Sequence, residues 1–235
     1  FVIGFSPYLV NPILALLSII VFYSFAERFY NRQIALWSTV SLVFTSYFLF
    51  NAASFFSHVS CMLMAVSFVY CMHLYFANQK IQYALLAGLL LGIMICIRYL
   101  TAVIIFLPFF IYTIHLFRVH AWRTFLWMGV GGVVPVLLMA WYNYAITGNP
   151  LMPVTVWAYD NEGLGFVRGH TPVKGIEHIV RWAFMFLYWG SPALLVLYVV
   201  FLWRKIRSKT EILTHPETYT YALLVAGYFF YYEIG

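Results

Sequence analysis

From Tyr83 to Phe117 the chain carries a single Lys, Arg, Asp or Glu, namely Arg98. A helix on the surface of a soluble domain keeps a polar face, and a buried strand ends after about eight residues, so neither accounts for a run of this length. Hydrocarbon does. With no water to bond the backbone, every N–H and C=O must be satisfied within the segment, and the result is a helix. Composition extends the argument to the whole chain: 64% of residues are hydrophobic, 21% aromatic and only 9% charged, with a mean hydropathy of +0.88. A charged, water-facing skin cannot be built from these residues. The predicted class is all-α, a polytopic helical membrane protein with one long non-cytoplasmic loop. The many Tyr and Trp residues suit headgroup-level aromatic belts.

At about 20 apolar residues per crossing, the chain divides into eight transmembrane segments at 10–26, 34–50, 56–76, 83–98, 101–117, 124–146, 180–202 and 219–233, with an outer loop over 147–179. The run from Tyr83 to Phe117 is broken at "RYLT", where Arg98 supplies a polar turn and makes a tight hairpin. A single transmembrane domain is expected. The chain starts "FVIGFSPYLV", without an initiator Met or a basic stretch before an apolar core, and stops within an apolar run. It therefore reads as the central part of a longer protein.

Basic residues then set the orientation, because Lys and Arg gather in cytoplasmic loops. One set of alternate loops holds Arg28, Arg32, Lys80, Arg118, Arg123, Arg204, Lys205, Arg207 and Lys209, and the other only Arg98, Arg168, Lys174 and Arg181. The first set is assigned to the cytoplasm. The net charge of +6 thus reflects topology and contact with anionic lipid rather than a nucleic-acid partner. The implied location is the inner cell membrane, crossed many times.

"GNPLMPVTVWAYDNEGLGFVRGHTPVKGIEHIV" interrupts the apolar pattern on the outer side. Loops beyond about 12–15 residues in compact domains are usually functional or disordered. Its Trp157, Tyr159, Leu164 and Phe166 predict that it packs down as a lid over an outward-facing cavity. Asp160 and Glu162 are candidate polar ligands, and Arg168, His170 and Lys174 candidate anion contacts. Arg98, at the outer turn, offers a guanidinium fork to a lipid-linked phosphate. His58, flanked by Ser54, Ser57 and Ser60, marks a hydroxyl-rich outer helix end, and Glu233 lies where the last span emerges. For each of these, solvation, snorkelling or a local hydrogen bond is the plainer competing role. Cys61, Cys71 and Cys96 all fall in apolar segments and read as packing residues. No HExxH, Walker A, GxSxG or CxxC pattern occurs. No metal site or cofactor is identified; a divalent metal is compatible with the sequence but unsupported.

The order of "AERFYNRQIALWSTVSLVFTSYFLFNAASFFSH", "LLAGLLLGIMICIRYLTAVIIFLPF" and "NYAITGNPLMPVTVWAYDNEGLGF" followed by "GHTP" resembles the type C glycosyltransferase fold, in particular bacterial relatives of protein O-mannosyltransferases and aminoarabinose transferases. The resemblance implies an integral membrane enzyme moving a sugar from a polyprenyl-phosphate-linked donor to an acceptor (lipid, glycan or protein) on the non-cytoplasmic side. It also implies a donor-phosphate role for Arg98, which matches the family's arginine at the "R-x-x-T" turn. The family's catalytic Asp is expected in a first outer loop, upstream of Phe1. Two other readings compete: a catalytically inactive, glycosyltransferase-like scaffold subunit of a larger membrane complex, and a transporter. Spans almost free of charge except at their ends count against ion-coupled transport.

Overall fold

A computed structural model describes residues 7–154, 157, 162–164, 171–189, 203 and 231–233. A 3₁₀ turn at Pro7–Leu9 leads into α1 (Val10–Phe29), followed by α2 (Arg32–Val43), α3 (Ser46–Ala52), α4 (His58–Asn78), α5 (Ile81–Phe117) and α6 (Ala121–Thr147); α7 (Pro172–Trp189) comes after the long loop. Among the described residues the regular structure is helical apart from two three-residue strands, β1 (Glu162–Leu164) and β2 (Tyr231–Glu233), which pair antiparallel. By length and composition, Val10–Phe29, His58–Asn78 and the stretch Ile81–Thr147 can cross a membrane, and α2 with α3 forms a further bent pair.

The stretch from Ile81 to Thr147 is not one rod. Helical dihedrals fail inside α5 at one residue, Arg98, which is extended at φ −151° and ψ 87°. A Cβ on Gly88 would overlap the backbone of Met128, while Phe110 lies 4.7 Å, centroid to centroid, from Phe125. Gly88 and Phe110 would stand about 33 Å apart in a straight helix, yet both meet the same turn of α6. The chain therefore reverses at Arg98, as the hairpin expectation required. Cys61, Met94 and Ala102 form a cluster that seats this reversal against α4.

Small residues let the helices close. Gly131 faces the Leu85 carbonyl across the same seam, and a Cβ on Gly92 would sit 2.6 Å from Pro135 Cγ. Between apolar helices in lipid, such close backbone approach is the main source of association. Phe68, Met72, Ala84, Ala87, Phe109 and Met128 fill the core there. The Tyr75 hydroxyl meets Thr124 Oγ1 at 2.8 Å, a buried polar link between α4 and α6. All three cysteines are free. Cys61 and Cys71 are buried as expected, whereas Cys96 is exposed and donates to the Pro135 carbonyl at 3.3 Å.

Several predicted boundaries change. The 34–50 span is broken: α2 and α3 are bent by 66°. Thr45 causes the break by accepting from the Phe48 N–H at 3.3 Å and donating to the Leu42 carbonyl at 2.8 Å, which starts a new helix. The last part of the predicted 147–179 loop is helical, because Thr171 caps α7 by accepting from the Lys174 N–H, with Pro172 at the first helical position. The span predicted at 180–202 accordingly has its helix underway from Pro172, and 190–202 lies outside the described residues. Residues 231–233, assigned to the 219–233 span, are strand; Tyr-Tyr-Glu suits a pleated edge better than a helix end.

The packing separates the charges. α1 and α4 run parallel, with Phe29 against Tyr70 and His73 at one end and Asn11 reaching the Ser54–Phe56 segment at the other. Arg28, Arg32, Lys80, Arg118 and Arg123 are exposed near the Phe29 end. Arg98, half-buried, is at the opposite end with His58 and Asn11.

Candidate functional site

At the Arg98 end, three elements converge. The guanidinium of Arg98, delivered by the α5 reversal, donates through Nη1 to His58 Nδ1, with Nε2 of the same ring 3.4 Å away. His58 is the first residue of α4. The Tyr47 hydroxyl, from α3, lies 3.2 Å from the same Nδ1, its ring edge-on to the imidazole at 5.9 Å. An arginine nitrogen carries only donors, so Nδ1 accepts and the ring proton is on Nε2. His58 is thereby a neutral acceptor that aims Arg98 rather than a group that competes with it.

The segment carrying His58 is held from behind. Asn11, buried on α1, donates from Nδ2 to the Ser54 carbonyl and, at 2.9 Å, to the Phe56 carbonyl. Phe56 packs edge-on against His58 at 5.9 Å. α4 starts at His58 with no side-chain cap on its first N–H groups, so its positive end also faces this region. Among the described residues, Arg98 donates to His58 Nδ1, which leaves most of its five donors for an anion. We expect Asn11→Ala to orphan two carbonyls and to cost about 1–3 kcal/mol, read as a lower unfolding midpoint in detergent, with a weaker donor KM effect than changes at Arg98.

The same end holds the "TGNP" stop. Gly148, at φ +74°, closes α6 through its N–H to the Tyr144 carbonyl at 2.9 Å. Thr147 Oγ1 accepts from the Asn149 N–H at 3.1 Å, and Asn149 Oδ1 accepts from the Leu151 N–H at 3.0 Å. The helix ends here because each residue of the motif has a turn role.

Of the residues singled out in the sequence, the structure brings Arg98 and His58 into contact. Glu162 and Glu233 lie opposite each other in the β1–β2 register. Lys174 is exposed in the first turn of α7. Asp160, Arg168 and His170 fall outside the described residues. Tyr47 and Asn11 were not singled out. Asn11 carried a signal, a polar residue before Pro12 in an apolar run, whereas nothing local marks Tyr47. Among the described residues, no group of three His, Cys, Asp or Glu could hold a metal ion. Glu177, His178 and Arg181 of α7 line an open hollow of about 260 Å³.

No curated protein and no solved structure matches the chain. A family profile described as dolichyl-phosphate-mannose-protein mannosyltransferase does match, over residues 3–143. That range is more than half of the chain and contains Asn11, Tyr47, His58 and Arg98. The chain, with its apolar helices and its Arg98–His58–Tyr47 cluster, belongs to this family of membrane glycosyltransferases of the type C fold.

Proposed function

We propose that the protein transfers a sugar from a polyprenyl-phosphate-linked donor to a polar acceptor at the non-cytoplasmic membrane surface, with Arg98 binding the donor phosphate. The observation that carries this reading is a half-buried arginine, aimed by a neutral histidine, at the end of the bundle opposite five exposed basic residues. The basic end is taken as cytoplasmic, which makes the Arg98 end the outer one.

In the reaction, the acceptor hydroxyl oxygen bonds to the anomeric carbon as the bond from that carbon to the phosphate oxygen breaks. The phosphate leaves with the electron pair and gains a second negative charge. The hydroxyl proton passes to a base, which the family places in a first outer loop. Arg98 binds the departing phosphate more strongly than the donor, since its charge rises as the bond breaks, and such differential binding lowers the barrier. The uncapped start of α4 acts in the same direction.

The outer segment that follows α6, a loop over 148–171 and then the start of α7, roofs this end. Arg168, His170 and Lys174 contribute positive charge or donors near the phosphate, and Asp160, Glu162 and Glu233 are polar ligands for the acceptor. The acceptor is a lipid, a glycan or a protein. A cysteine placed at Tyr159 should be labelled by a membrane-impermeant thiol reagent from the non-cytoplasmic side. Lys174→Ala in the intact protein should raise the donor KM by several-fold, as expected for an exposed charge worth about 1 kcal/mol. Labelling only from the cytosol would overturn the assignment.

A further inference from the structure

α7 has a two-sided character, of which the transfer reaction as read above uses only Lys174. Val173, Ile176, Val180 and Phe184 follow one another at spacings of three and four and so share a face. They are 64%, 57%, 48% and 68% exposed. Lys174, Glu177, His178 and Arg181 form a neighbouring stripe, centred about 100° round the helix from that face. A helix this apolar on one face is poorly suited to water, and with three formally charged residues in its first three turns it is not among the helices apolar enough to cross a membrane.

We propose that the first three turns of α7 lie in the plane of the membrane surface, with Val173, Ile176, Val180 and Phe184 in the acyl boundary and Lys174 and Arg181 on anionic headgroups. Two observations select a bilayer over a second copy of the chain. The charged side holds two permanent cations and one anion, which attracts lipid phosphate. The bilayer is also at hand, because α7 follows α6, a membrane-spanning helix, through the loop of residues 148–171. Helices with a basic polar face and a bulky apolar face bind bilayers in this way, sunk about 5–10 Å into the headgroup boundary.

The test uses the full-length protein in nanodiscs of mixed phosphatidylcholine and phosphatidylglycerol. Single nitroxides are placed on cysteines substituted at Val173, Lys174, Ile176, Glu177, Val180 and Arg181. Collision with oxygen should peak at 173, 176 and 180, and collision with a water-soluble nickel chelate at 174, 177 and 181. Nickel access at all six positions would overturn the proposal, as would a steady fall in nickel access from 173 to 181, which marks a crossing helix. Low access to both reagents at 176 and 180 would mean that protein covers the face, and would also overturn it. In pure phosphatidylcholine the oxygen peaks at 176 and 180 should shrink; unchanged peaks would remove the headgroup pairing.

Discussion

Gly88→Val should abolish the native helix packing. A Cβ at this position overlaps the Met128 carbonyl, and the obstacle is backbone, which cannot swing aside as the tip of a side chain can. Overpacking of a close-fitted core typically costs about 1–3 kcal/mol. Here the contact is between two backbones at the seam that holds α5 to α6, so the loss should reach or exceed the upper figure. Gly131→Val should behave alike, because it meets the Leu85 carbonyl from the other helix. Gly129→Ala is the control, since a Cβ there meets nothing within 4 Å. The readout is the unfolding midpoint and monodispersity of the purified protein in detergent. A Gly88→Val protein as stable as the parent would contradict the packing described.

Arg98→Ala should lower kcat by about 10²–10³, the usual cost of removing one preorganised donor from a developing oxyanion. The protein should remain folded, because Arg98 is only half-buried and its recorded partner is a histidine ring. Arg98→Lys should recover only part of the rate: an ammonium keeps the charge but not the planar fork that spans two phosphate oxygens while touching His58. His58→Ala should fall between wild type and Arg98→Ala, since it releases the guanidinium without removing it. An equal loss for lysine and alanine would mean that the fork, not the charge, carries the effect. An unchanged rate for all three would remove Arg98 from the donor site.

The helical membrane class and the reversal at Arg98 were legible because both follow from one-dimensional patterns. A lone charge in a long apolar run can only mark an interruption. The break between α2 and α3 was not read, although Thr45 and Ser46 are cap residues, because the apolar pattern continues through them unbroken. The start of α7 was likewise written in "TP" but was hidden inside a polar stretch that read as loop. His58 and Arg98 were each visible as oddities in an apolar context. That they touch was not visible, since they are 40 positions apart and the contact depends on α5 doubling back against α4. Tyr47 illustrates the limit most clearly: one tyrosine among 19 gains a role only from the turn that α3 makes beside α4.

The central claim is that a lipid-linked phosphate is the donor and that Arg98 receives it. The most direct measurement offers the intact enzyme in sealed membrane vesicles two radiolabelled donors of the same sugar, one on polyprenyl phosphate and one on a nucleoside diphosphate. The account predicts transfer from the polyprenyl-phosphate donor alone, at the non-cytoplasmic face, falling at least a hundredfold with Arg98→Ala, about the smallest loss expected for such a donor group. Transfer from the nucleoside diphosphate donor, or transfer from the lipid donor that survives Arg98→Ala undiminished, would contradict it.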